Sequence, residues 1–118
     1  MTPKDDIDRK DIPEVVIVVN GALDMGEGKK VGQSFQAAMR SVKYLKWGAW
    51  LEAGTRTIVK QAKTQAMFDR IVSEVPGYVM VDEGFTEVEP GTATLFVSWP
   101  FLHKDRLQVL DNKKCPLL

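Results

Sequence analysis

The sequence has little of the chemistry that usually announces a site. Cys115 is the single cysteine among 118 residues, so no intrachain disulfide can form, which suits a reducing compartment. It stands near the C-terminus without a nearby histidine, which argues against a thiol nucleophile. The single histidine, His103, falls at the start of the expected last helix and reads as a surface residue. No run approaches the roughly 18 apolar residues that a membrane span needs. The leading segment MTPKDDIDRKDIPE is charged and has no apolar core of a signal peptide, so a cytoplasmic protein is expected. Repeats and low-complexity tracts are absent. Neither G-x-x-x-x-G-K-[ST] nor G-x-G-x-x-G occurs, which counts against a nucleotide-phosphate enzyme. The formal net charge is zero, so bulk charge does not mark a nucleic-acid binder.

Charge is nevertheless unevenly placed. Eight Lys/Arg and two Glu lie between Glu27 and Lys63, a balance of +6, whereas six acids and one Arg lie between Asp69 and Glu89, a balance of −5. The asymmetry fits one basic face, or two segments that neutralise each other across the fold.

The length fits one domain, here residues 13–118 behind a loose polar tail at 1–12. The β-branched run Val15–Val19 within EVVIVVN predicts a strand buried on both faces. A helix follows from about Gly28 to Leu45, with Val31, Phe35, Ala38, Met39 and Val42 as its apolar stripe. A short helix over 46–53, carrying Trp47 and Trp50, ends at Gly54. Thr55–Gln61 is a second strand. Thr64 caps a helix to Val75 whose stripe is Met67, Ile71 and Val75, and Pro76-Gly77 breaks it. Tyr78–Asp82 and Thr92–Trp99 are the third and fourth strands, the pair open to antiparallel pairing across a Pro90-Gly91 turn. A last helix is expected over about 101–111. The order β-α-(α)-β-α-β-β-α predicts an α/β domain of three layers, α/β/α, around a four-stranded mixed sheet.

Two stretches carry polar groups in suggestive patterns. In DMGEGKKVGQSFQAAM, residues 24–39, a glycine-bounded loop leads into a helix whose first amides favour anions. Lys29, Gln33 and Gln36 share one helix face, and spacing alone is equally met by a solvated face. Gly32, costly in a helix by about 1 kcal/mol, fits a close backbone approach to a strand or ligand. In DEGFTEVEPGTAT, residues 82–94, Asp82 ends a strand, where open α/β sheets bind ligands. Asp82, Thr86 and Thr94 can bring a carboxylate and two hydroxyls to one crevice, or simply satisfy the turns of an acidic loop.

Together these stretches resemble the type 2 peptidyl-tRNA hydrolases. The family pattern M-G-K-G-K-x-x-x-Q-C-x-H-A aligns without gaps on Met25-Gly26-Glu27-Gly28-Lys29-Lys30-Val31-Gly32-Gln33-Ser34-Phe35-Gln36-Ala37. The pattern D-x-G-x-T-Q-x-x-P-G-[ST]-x-T aligns likewise on Asp82 to Thr94. The likeness covers about residues 14–118. It implies hydrolysis of the ester between peptide and tRNA, with no cofactor and no metal. Lys29, Asp82, Thr86 and Thr94 are implied as catalytic. Gln33 carries over as a substrate-positioning residue, Gly28 and Gln36 are expected to bind substrate beside it, and the basic segment of Arg40, Lys43 and Lys46 can meet tRNA phosphates. A homodimer is a further expectation. Glu27, Gln36 and Glu87 stand where the family has Lys, His and Gln, and Ser34 replaces a common Cys. Those added acids and the lost histidine favour the rival reading, a non-catalytic RNA- or protein-binding module on the same fold.

Overall fold

The structure is a computed structural model that describes residues 8–44, 47–82 and 91–118. Its centre is β1 (Pro13–Asn20), buried along most of both faces, as its β-branched run requires. β1 pairs in parallel with β2 (Arg56–Ala62) and antiparallel with β4 (Ala93–Ser98), which in turn pairs antiparallel with β3 (Gly77–Val81), so the sheet order is β2-β1-β4-β3. The strands β1, β2 and β3 therefore point the same way, and Asn20, Ala62 and Asp82 lie at one end of the sheet.

Helices cover both faces. α1 (Glu27–Ser41) and the five-residue α2 (Gly48–Glu52) lie on one side, over a core of Val15, Ala37, Met80, Leu95 and Val97 with Trp47 and Trp50 against it. α3 (Gln65–Glu74) lies on the other, where Met67, Phe68 and Ile71 meet Val16, Val18 and Phe96. Thr64 caps α3 as expected, its side chain accepting from the Met67 amide at 3.1 Å. Gly77 is required where it stands. A Cβ there would sit 2.3 Å from the Phe96 ring and 2.4 Å from the Val97 carbonyl.

The expected last helix over 101–111 does not form. Phe101–Leu102 is a short strand, β5, which pairs with Pro13 and Glu14 and makes a fifth strand, and 3-10 turns follow at His103–Asp105 and Gln108–Asp111. Tertiary partners outweigh helix propensity here. Glu14, fully buried, gathers Arg56, His103 and Arg106 around its carboxylate. The neighbours Val109 and Leu110 both enter the core, and the buried Lys60 ammonium donates to the Leu110 carbonyl. His103 is thus a member of an ion cluster instead of a free surface residue. Ahead of β1, Asp8 caps a 3-10 turn at Arg9–Asp11, and Lys104 pairs with Asp11 at 3.0 Å. Cys115 is buried, and that burial pushes its thiol above the ordinary range while nearby Lys60 pulls it down.

α1 is turned about its axis relative to expectation. The apolar stripe points outward, with Val31 70% and Phe35 68% exposed, and the buried residues are Gln33, Ala37 and Ser41. Burying polar side chains is tolerable only when each has a partner, and these do: Gln33 with Thr94 and Ser41 with the Ala38 carbonyl. Gly32 is also exposed, and a Cβ there would meet nothing within 4 Å, so the close approach expected at this glycine does not occur. Gly32→Ala is accordingly expected to stabilise the fold by about 0.5–1 kcal/mol, measured as a higher midpoint in denaturant with an unchanged slope. A loss of stability would contradict the open surroundings of this position.

Candidate functional site

The shared end of β1, β2 and β3 collects the polar residues. Met25, buried ahead of α1, anchors the loop that delivers the helix to the sheet. Gly26 is the N-cap, so Lys29 stands in the first turn. Its ammonium pairs with the carboxylate of Asp82, and both side chains are almost wholly removed from solvent at 5% and 2% exposure. Desolvating two charges is costly, and their pairing offsets that cost.

Asp82 is held from both sides of its backbone. Its amide donates to the Thr92 carbonyl at 2.9 Å, and its carbonyl accepts from the Gly91 amide at 2.7 Å. Gly91 has φ +83°, a left-handed conformation that favours glycine. One helical turn beyond Lys29, Gln33 meets the start of β4. The Thr94 hydroxyl donates to Gln33 Oε1 at 2.6 Å, with the Met80 carbonyl at 3.3 Å as its alternative acceptor. Thr94 is fully buried. The interior face of α1, Lys29-Gln33-Ala37, thus packs its polar start against Asp82 and Thr94 and its small Ala37 against the sheet.

The remaining expected residues fall differently. Gly28 and Gln36 are exposed, and a Cβ on Gly28 would touch nothing within 4 Å. Arg40 and Lys43 are exposed on the same side of the fold. Arg40 Nη1 lies 3.8 Å from Met80 Sδ, and Lys43 Nζ stands 5.3 Å over the Tyr44 ring. Thr86, Glu87 and Lys46 lie outside the described residues. Among the described residues, no group of three His, Cys, Asp or Glu side chains could hold a metal ion.

One buried residue escaped sequence reasoning. Asn20, at the end of β1, donates to Gln65 Oε1 at 3.0 Å and to the Ala93 carbonyl at 3.1 Å, and accepts from the Ala22 amide at 3.1 Å. It ties α3, β4 and the loop leading to α1 into one rim. The only signal for it was a polar residue closing an otherwise apolar strand.

The fold and this rim define an open α/β domain with a buried acid–base pair at the carboxyl ends of its parallel strands, the usual ligand-binding edge of such sheets. The chain belongs to the peptidyl-tRNA hydrolase PTH2 family, whose model matches residues 14–112. Among curated relatives it is 33% identical to the peptidyl-tRNA hydrolase of Pyrobaculum aerophilum, over 74% of this chain and 83% of that protein. It is 35% identical to the peptidyl-tRNA hydrolase of Thermoplasma acidophilum and 32% identical to that of Thermoplasma volcanium, each over 70% of this chain and 80% of the relative.

Proposed function

We propose that this chain hydrolyses the ester between peptide and tRNA at the Lys29–Asp82 pair, with Thr94 and Gln33 as its supporting groups. The observation that carries the reading is the meeting of Lys29 and Asp82, distant in sequence and both buried, beside the Thr94–Gln33 hydrogen bond. Ester hydrolysis needs an oriented water and stabilisation of the charge that develops on the carbonyl oxygen. Asp82 accepts a proton from the attacking water as its oxygen bonds to the ester carbon. The Lys29 ammonium stabilises the resulting oxyanion. The ester bond to the ribose oxygen then breaks, and that oxygen takes up the proton, releasing free tRNA and the peptide carboxylic acid.

Thr94 holds the Gln33 oxygen, which leaves the Gln33 amide nitrogen as the end that can donate to the substrate. Thr86 belongs to the same set by its place in the second motif. Exposed Arg40 and Lys43 support a role in meeting tRNA phosphates, and Lys46 extends the same basic segment in sequence. A translation-linked hydrolase of this kind works in the cytoplasm. Family membership and the hydrolase relatives favour this reading over a non-catalytic module.

The test is release of free tRNA from peptidyl-tRNA, followed at several salt concentrations. Thr94→Val is expected to lower kcat about tenfold or more with little change in KM, because it frees Gln33 from its orientation. Arg40→Ala and Lys43→Ala together are expected to raise KM and flatten the salt dependence, by about 0.7–0.9 in log–log slope per lost phosphate contact. Wild-type protein that binds tRNA without releasing it from peptide would overturn the proposal.

A further inference from the structure

We propose that Lys63, Lys113 and Lys114, at the end of β2, form a phosphate-contacting surface that guides the tRNA strand along the rim to the candidate site. The inference rests on the hydrolase reading for the identity of the RNA. These lysines come from two segments distant in sequence, and the fold brings them together. After the buried Val109 and Leu110 the chain turns, buries Cys115, and runs back along the open edge of β2. Lys63 N donates to the Lys114 carbonyl at 2.8 Å, Gln61 N to the Pro116 carbonyl at 2.9 Å and Leu118 N to the Val59 carbonyl at 3.0 Å, with an antiparallel bridge between Lys60 and Leu117. The Asn112 side chain accepts from the Lys114 amide at 2.9 Å and fixes the turn. The C-terminal segment is thus stitched to the sheet, and a preorganised surface loses less freedom on binding than a loose tail would.

Charge favours a polyanion. Lys63, Lys113 and Lys114 are exposed, and among the described residues none has an ion-pair partner. The acids around them are engaged elsewhere. Asp111 pairs with Lys60 at 3.2 Å and Arg106 at 3.1 Å, Glu74 with Arg70 at 2.7 Å, and Asp69 accepts from the Gln65 amide at 2.9 Å. Neighbouring ammonium groups repel one another, and a run of phosphates relieves that repulsion. A cleft of about 220 Å³ beside them, lined by Thr64, Ala66, Met67, Arg70, Asn112 and Lys114, gives the surface a concave seat.

Position favours the strand that leads to the ester. Lys63 directly follows Ala62, which pairs with Asn20 at the candidate site's end of the sheet. From β2 across β1 and β4 to β3 are three strand spacings, about 14 Å at ~4.8 Å each, so the lysines lie within a few nucleotides of Asp82. Arg40 stands about three turns down α1 from Lys29, away from this end, and meets a separate stretch of the RNA. At the start of α1 the exposed residues include the acids Asp24 and Glu27, which repel phosphate and leave the β2 side as the approach.

Binding of deacylated tRNA to the full chain between about 50 and 200 mM salt tests the surface. Lys63→Ala/Lys113→Ala/Lys114→Ala is expected to weaken binding about tenfold or more at low salt and to lower the log–log salt slope by about 2–3. Lys63→Arg/Lys113→Arg/Lys114→Arg is expected to bind like wild type. Arg9→Ala/Lys10→Ala/Lys104→Ala removes the same charge near the start of β1, and is expected to hold affinity within about twofold because distant charges are screened. Far-UV circular dichroism and the urea midpoint confirm that each variant is folded. A wild type that does not bind tRNA, an alanine variant that binds as wild type does, or an equal loss in the distant variant would overturn the surface. Release of tRNA from peptidyl-tRNA is followed alongside. No release by a wild type whose tRNA binding still requires the three lysines would reject the hydrolase reading and support the surface.

Discussion

Asp82→Asn is expected to lower kcat and kcat/KM for peptidyl-tRNA together, by about 10²–10⁴-fold, the usual contribution of a positioned general base. An amide of nearly the same shape keeps a hydrogen-bonding oxygen but no longer accepts the proton. Lys29→Met is expected to cost a comparable factor, because the ammonium is the cation beside the carboxylate where the oxyanion would form. Both changes also carry a folding penalty. The two side chains are nearly solvent-free, and removing one takes a close opposite charge away from the other in a nearly dry site, a loss of about 3–5 kcal/mol.

Activity and stability can be separated with the double variant Lys29→Met/Asp82→Leu. It removes both charges of the pair together, so it is expected to recover stability to within about 1–2 kcal/mol of wild type while hydrolysis stays lost. The measurements are tRNA release at saturating substrate and urea unfolding of all four proteins. Retention of hydrolysis within a few-fold by Asp82→Asn, in protein shown to be folded, would remove Asp82 from the chemistry.

Glu14→Ala is expected to destabilise the fold by about 3–5 kcal/mol without changing the hydrolytic chemistry. The Glu14 carboxylate is fully buried and meets Arg56 Nε at 2.9 Å, Arg106 Nε at 2.9 Å and His103 Nδ1 at 3.2 Å. Deleting it leaves cationic groups facing one another, with Arg106 only 14% exposed and poorly placed to regain water. The same carboxylate joins the starts of β1 and β2 to the segment after β5, so its loss loosens the chain from 101 onward. Thermal unfolding should fall by roughly 10–20 °C for a domain of this length. Glu14 lies six residues before Asn20 along β1, about 20 Å at ~3.3 Å per residue, so turnover per folded molecule should be unaffected at 25 °C. A loss below about 1 kcal/mol would show that the cluster contributes little.

Much of the fold was legible because the signals are local. The β-branched run at Val15–Val19, the Thr64 cap, the Pro76-Gly77 break and the Gly54 stop each act within a few residues, and each marks its element in the structure. The last segment was not legible. Its helical character is overruled by Glu14 and Lys60, which lie far away in sequence. The polarity of α1 failed for a related reason. Hydrophobic periodicity identifies a helix and its apolar side, but assumes that this side meets the chain's own core. Here the polar side is buried, because Asp82 and Thr94 lie across from it as partners, and the apolar side is left outward.

The sequence by itself determined the α/β class, the strands and main helices, and the two motifs that place Lys29, Gln33, Asp82 and Thr94 in one family pattern, since these depend on short-range periodicity, turn chemistry and spacing. Only the tertiary structure decided that Lys29 and Asp82 form a buried ion pair, that Asn20 and Glu14 hold opposite ends of β1, and that the apolar seam of α1 faces outward. Those outcomes depend on which groups meet across the sheet, and a buried charge or amide is stable only where its partner arrives from elsewhere in the chain.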